Sequence, residues 1–356
     1  MVSYRIQILA VAIVSALLMG ALANQAANAK PSALAPLSKT PSSGIGLAAN
    51  LNRTGGGTLA NPTYYDRALK SSLWVRTPGG LVFHSCSYNV PNGSKVDSVH
   101  GKITFPGGRI VSLTRCAYPR LVHPAAHPAI RPAGLQAEPL GTHGWMQGFQ
   151  QDGLPPLGNL YVRYAVPSAP SSGTETDSAW SALANDPNGD VLIQPAVAWG
   201  FVSTAKNGVP IPNDSGQYLE MAAYYYWTGN AVAASFVQVK ALDTLEAFAS
   251  ATGCDSGGGG CSWLISIYDD NSKAISQFTV GSASAFTTLI GGMFESRSAV
   301  NCTQLFANHH LVFRNIIVGT VSGALVDPTF HKRVVDQECS MNTTYTDTSG
   351  DITWTP

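Results

Sequence analysis

From residue 145 to the C-terminus the chain repeats one pattern: short runs of alternating apolar and polar residues, separated by turn signals, with almost no helical period. The runs are NLYVRYAVP, DVLIQPAVAWG, QYLEMAAYYYWTG, AVAASFVQVK, CSWLISIYDD, AISQFTVGSA, AFTTLIGGMFESRSAV and HHLVFRNIIVGTVSG. Alternation sends successive side chains to opposite faces of a strand. Eight such runs without intervening helices predict an all-β antiparallel sandwich of jelly-roll type. The one helix-like stretch is LDTLEAFASATG, with Leu242, Leu245 and Phe248 at helical spacing. Its place between two strands leaves a strand or a loop equally open. No internal repeat is present.

The N-terminus has the pattern of a secretory signal over residues 1–29. Arg5 supplies a weak positive region, Ile8 to Leu22 are apolar, and Ala27-Asn28-Ala29 is an A-x-A cleavage pattern. The apolar run is shorter than the ~20 residues that span a bilayer. Six cysteines fit an exported chain (Cys86, Cys116, Cys254, Cys261, Cys302 and Cys339). Order and proximity favour the pairs 86–116, 254–261 and 302–339, and the spacings do not match zinc sites. The expectation is a secreted monomer without a cofactor, metal, nucleic acid or membrane partner. Only 12% of residues are charged, which suits an all-β exported domain.

The net charge of zero hides a division. Residues 30–140 hold 12 Lys and Arg against 3 Asp and Glu, whereas 141–356 hold 8 against 18. A basic segment ahead of an acidic domain is the pattern of an electrostatically docked propeptide, and acid would weaken that docking. Two modules of unrelated surface charge would give the same numbers. Residues 30–62, rich in Ala, Pro, Ser and Gly, are expected to be a flexible leader. Residues 63–118 hold short β-like runs between PGG and PNG turns and are expected to form a small basic β module. Residues 119–144 contain a proline-rich linker, the expected processing region. Residues 145–356 are expected to be the sandwich.

Alternation places candidate chemistry on faces. In VLIQPAVAW, Leu192, Gln194, Ala196 and Ala198 share one face; Val191, Ile193, Val197 and Trp199 share the other. The small neighbours of Gln194 leave room for a ligand, although a core glutamine bonded to backbone groups fits as well. In GGMFESRSAV, Gly291, Met293, Glu295 and Arg297 share a face unless a bulge intervenes. A surface Glu295–Arg297 pair would be the bland explanation, and such pairs contribute little. Tyr224 and Tyr226 alternate with Tyr225 and Trp227. With Trp145 and Trp199, these aromatic residues could bind a peptide or a sugar, or could simply pack.

Four segments taken together are similar to the eqolisin (glutamic peptidase) superfamily: VLIQPAVAWG, MAAYYYW, FESRSAVNC and LVFRNIIV, within residues 145–320. The resemblance implies a concanavalin A-like sandwich with a Gln–Glu dyad, Gln194 and Glu295, acting on polypeptide substrates. It also implies that Glu295 is the general base on a water. Gln194 would orient that water and donate to the oxyanion. Substrate contacts would come from Trp145, Trp199, Tyr224, Tyr226 and Trp227. Pro195 stands where founding members have Thr, and Tyr224 to Trp227 only approximate a W-Y-E-W pattern. Arg297 would favour an ionised Glu295.

No G-x-S-x-G, H-E-x-x-H or P-loop pattern occurs, so those mechanisms gain no support. His309-His310 lacks an evident ligand cluster, and Asp269-Asp270-Asn271 resembles an exposed turn. CDSGGGGC is a disulfide-pinned loop, either a surface hairpin or a lid. Two rival functions remain: a lectin-like carbohydrate- or peptide-binding sandwich, and a glycosidase using Glu220 with Glu295, which needs carboxyls about 5–9 Å apart.

Overall fold

Among the described residues the basic segment supplies, besides the two-residue strand Thr58–Leu59, seven strands: β1 (Trp74–Thr77), β2 (Gly80–Phe83), β3 (Ser87–Asn89), β4 (Lys95–Asp97), β5 (Lys102–Thr104), β6 (Ile110–Ser112) and β7 (Leu121–Val122). The acidic part supplies the longer ones. They begin with β8 (Trp145–Gln151), β9 (Leu157–Ala165), β10 (Thr176–Ala184), β11 (Leu192–Trp199), β12 (Leu219–Trp227) and β13 (Asn230–Ala233). There follow β14 (Thr244–Thr252), β15 (Cys261–Asp269), β16 (Ile275–Ser282), β17 (Thr288–Arg297), β18 (His310–Thr320), β19 (His331–Val334), β20 (Asn342–Tyr345) and β21 (Gly350–Thr353). The computed structural model describes residues 58–59, 68, 73–113, 115–122 and 145–356, except 172–175, 188, 201–204, 207–208, 211–218, 256, 298, 300 and 335–337. The expected signal, nearly all of the leader and residues 123–144 of the linker lie outside the described residues.

Two large sheets form the sandwich expected from the alternation. One runs β20-β21-β18-β9-β14-β15-β16-β4-β5-β6, and the other runs β19-β8-β17-β10-β11-β12-β13-β3. The helix-like stretch is strand β14, paired antiparallel to both β9 and β15. Its leucine spacing lost to the two long ladders available on either side. Thr228 (φ 39°) and Gly229 (φ 82°) form the two-residue connection from β12 to β13. Both residues at positive φ give the twist a tight hairpin needs.

The main core lies between the sheets and includes Phe149, Tyr225, Trp227, Trp263, Ile265, Phe278, Phe294 and Phe313. All three expected disulfides form: Cys86–Cys116, Cys254–Cys261 and Cys302–Cys339. The CDSGGGGC loop folds around Asp255, whose Oδ1 accepts from the amides of Gly257 (2.9 Å) and Gly259 (2.8 Å).

The basic segment is woven into this framework. Strand β3 pairs parallel to β13 at the edge of one sheet, and β4 pairs parallel to β16 and carries the other sheet outward to β5 and β6. Val90, Val96 and Ile103 reach the main core. Strands β1, β2 and β7, with Thr58–Leu59, make a separate four-stranded sheet. That small sheet has its own core with the outer face of the large one, where Val82 and Cys86 pack with Trp180, Ala196, Tyr224, Tyr226 and Met293. Antiparallel sheets commonly leave one face to water. Here β10 and β17 are buried at every position, because both of their faces are covered.

Trp263 is wholly buried and meets Phe286 edge-on at 5.0 Å. Trp263→Ala is expected to lower unfolding free energy by about 3–5 kcal/mol, measured by denaturant titration followed by tyrosine and tryptophan fluorescence.

Candidate active site

Strand parity decides which expected residues meet. Gln194 lies on β11 facing the small sheet, among Leu192, Ala196 and Ala198, and directly across from Tyr224 on β12. Tyr226 shares that face; its ring stacks with Tyr224 at 6.0 Å. Trp227 stacks on Tyr225 at 5.1 Å in the main core, on the opposite face. Trp199 likewise packs on the main core. The structure therefore does not bring Trp199 and Trp227 to Gln194; each is an odd number of residues from a residue that faces it. Trp145 pairs in register with Glu295 through the backbone, and its side chain lies outside the described residues.

Strand β17 carries the carboxylate. A register shift between Ile290 and Gly292 interrupts its alternation. A Cβ on Gly291 would meet the Phe330 ring at 2.8 Å, and one on Gly292 would meet Phe313 Cγ at 2.7 Å. Both glycines thus face the main core, while Met293 turns to the small sheet. Gly291 does not share a face with Met293, because the bulge inserts one extra residue. Glu295 and Arg297 follow Met293 to the same face, 1% and 2% exposed. They form an ion pair with each other. Glu295 Oε2 also accepts from Trp180 Nε1 at 3.1 Å.

Gln194 and Glu295 are not neighbours along the backbone. Glu295 is level with Ser178, and Ser178 is level with Ala198, four residues along β11 from Gln194. That offset is about 13 Å along the strand. What both strands reach is a third element, Gln194 directly and Glu295 through Arg297. The turn joining β1 to β2, Thr77-Pro78-Gly79-Gly80, sits on this face. Gln194 Nε2 donates to the Pro78 carbonyl at 3.2 Å. Arg297 Nη1 donates to the Gly80 carbonyl at 3.0 Å and also to the Thr77 carbonyl. The Gly79 amide donates to Tyr226 Oη at 3.1 Å. Adjacent residues of a chain are at most about 3.6 Å apart along its axis. The Gln194 amide and the Arg297 guanidinium therefore address points one residue apart.

Arg120, beside β7, locks the turn from the other side. It is 2% exposed and donates to the Gly79 carbonyl at 2.6 Å and to the Gly189 carbonyl. Its guanidinium lies 4.9 Å from the centre of the Tyr226 ring, a cation–π distance. Burial lowers its pKa to about 10, and Arg297 adds to that, against the opposing pull of Tyr226, Asp190 and Asp186. Burial pushes Tyr226 up to about 12 and Tyr224 well above the usual phenol range. Neither phenol is an acid or base near neutral pH. Nothing local in the sequence marks Arg120 or the PGG turn as contacts of this face. The turn signal was visible, but where the turn docks depends on long-range packing.

Glu220 is on the same face as Glu295 but three strands away, through Ala198 and Ser178. Three inter-strand spacings are about 14 Å, well beyond the separation a glycosidase pair requires. Gln194 Oε1 is buried and accepts no hydrogen bond among the described residues. The Gln194 amide thus donates to a main-chain carbonyl of the turn, and the Glu295 carboxylate is linked to the same turn through Arg297.

Several solved glutamic peptidases are similar to this chain. Scytalido-glutamic peptidase, with a transition state analog inhibitor, is 13% identical with a TM-score of 0.41, covering 60% of this chain and 98% of its own. SCP-B, a member of the eqolisin family in a complex with the tripeptide Ala-Ile-His, is 13% identical with a TM-score of 0.39 and the same coverage. Aspergilloglutamic peptidase from Aspergillus niger is 17% identical with a TM-score of 0.36, covering 50% of this chain and 98% of its own. No family model matches the sequence, and no curated protein matches it. The architecture described above rests on the sheets of this chain themselves.

Gly79 has no room for a side chain, since a Cβ would lie 2.8 Å from the Tyr226 ring and 2.9 Å from Arg120. Gly79→Leu is expected to lift the turn at a cost of about 1–3 kcal/mol. Limited proteolysis should then cut residues 73–84 several-fold faster while the 261–282 hairpin stays resistant.

Proposed function

We propose that the protein is an exported, acid-acting glutamic-type endopeptidase, made as a zymogen whose basic segment covers the Gln194–Glu295 site. The observation that carries this reading is the hydrogen bond from Gln194 Nε2 to the Pro78 main-chain carbonyl. An amide donor aimed at a peptide carbonyl is the arrangement that stabilises the oxyanion of peptide hydrolysis. One such donor is worth about 3 kcal/mol in a water-poor cleft.

In the proposed reaction the turn has left and a substrate carbonyl takes the place of Pro78. Glu295 removes a proton from a water that Gln194 Oε1 helps to orient. The water oxygen bonds to the carbonyl carbon, and Gln194 Nε2 bonds to the developing oxyanion. Collapse of the tetrahedral intermediate breaks the C–N bond, and Glu295 returns its proton to the departing amine. The steps need no metal and no nucleophilic side chain.

Asp190 is held above the ordinary carboxylate range by burial and by repulsion from Asp186, while Arg120 pulls it down. The net shift is upward, so protonation of Asp190 does not by itself weaken the cover in acid, and release in acid rests on the division of charge between the basic segment and the acidic part. The Cys86–Cys116, Cys254–Cys261 and Cys302–Cys339 bonds are consistent with an oxidising compartment. A lectin-like role finds less support, because Tyr224 and Tyr226 lie beneath the turn.

Acid incubation of the purified chain should remove mass by cleavage within residues 119–144 and release casein cleavage at pH 3–5. Gln194→Ala and Glu295→Gln should each reduce that activity at least a hundredfold, with chelators and serine or cysteine reagents without effect. Full casein cleavage by either variant would sink the dyad. An unchanged mass with no activity would sink the zymogen.

A further inference from the structure

Arg297 is a buried cation that the dyad chemistry does not use. One face of its guanidinium pairs with Glu295, and Nη1 takes two main-chain carbonyls of the turn, Thr77 and Gly80. A buried charge is tolerated only while it is paired and hydrogen-bonded. When the turn leaves, Nη1 loses both acceptors while Glu295 continues to hold the other end. We propose that Arg297 is a substrate-binding residue, a clamp that gives Nη1 to a main-chain carbonyl beside the one Gln194 binds, and that the Thr77–Gly80 turn is inhibitory because it fills this carbonyl seat. The proposal rests on the peptidase reading above.

Three features make the seat specific to peptide backbone. Each acceptor that Arg297 and Gln194 take from the turn is a carbonyl, not a side chain. The Gly79 amide donates to Tyr226 Oη, so one backbone N–H is also read. The turn is internally tied, with Thr77 Oγ1 donating to the Gly80 carbonyl at 2.7 Å. A tied turn cannot extend across the site, which suits a resident that occupies it without being cut. The chain that follows it stays anchored, since β3 and β4 are paired into the two large sheets. The clamp therefore competes with a tethered ligand rather than a free one, and the effective concentration of that ligand is high.

The test uses Arg297→Lys and Arg297→Met in the full chain. Lysine keeps a cation beside Glu295 but lacks the second nitrogen needed to hold carboxylate and carbonyl together. Hydrogen exchange of the unprocessed chain should quicken at least tenfold over residues 75–83 in Arg297→Met and less in Arg297→Lys. Exchange over 261–282 should be unchanged in both. After acid processing, Arg297→Lys should raise KM for a peptide substrate at least tenfold and leave kcat within threefold, the mark of lost uniform binding. Equal exchange at 75–83 in all three proteins would overturn the clamp. So would a fall in kcat at constant KM, which would make Arg297 a positioning residue acting through Glu295. If Arg297→Met loses protection everywhere, Arg297→Lys alone decides. If the processed wild type cleaves nothing, the peptidase reading fails, and the exchange result, which needs no turnover, still judges the contact to the turn.

Discussion

The Glu295–Arg297 ion pair, buried between a sheet and a turn, is the interaction on which the site depends. A buried charge in that position is tolerated only while it is paired and hydrogen-bonded. Glu295 takes Arg297 and the indole N–H of Trp180, and Arg297 takes Glu295 and two carbonyls of the turn. The pair thus ties the central sheet to the basic segment. The sequence alone suggested a surface pair worth little. Burial on both sides changes its weight, because low dielectric strengthens the pair and makes removal of either partner costly.

A second consequence is the double-sided burial of β10 and β17. Each needs a main core on one side and a second core on the other. The second core is made of small residues, Ala182, Ala196, Ala198 and Ala222, with Tyr224, Tyr226 and Trp180 around them. Small side chains at those positions leave space that the turn and Val82 fill. In the proposed open form the same space would take a peptide.

The basic segment has two parts of different character. Residues 87–104 extend the two large sheets and contribute Val90, Val96 and Ile103 to the main core. Residues 73–83 and 115–122 form the small sheet over the polar face. In the proposed zymogen only the latter part would move to uncover the site. Arg120, close to the described end of this segment, is the cation that Asp186 and Asp190 face, so the charge division along the chain has at least one concrete local meeting point.

Much was legible in the sequence because it depends on local periodicity. Alternation identified the strands and put Gln194, Ala196 and Ala198 on one face; order along the chain paired the cysteines. Parity also separated Trp199 from Gln194. What the sequence left open was long-range. A leucine spacing that allowed a helix over 242–252 became a strand because ladders formed on both sides. The bulge at Gly291–Gly292 reset the parity of β17, since a single inserted residue leaves no mark on composition. Whether Glu295 and Arg297 were a surface pair or a buried one depended on what covered them. That cover is a Pro-Gly turn 217 residues away from Arg297, and only the closed tertiary structure brings the two together.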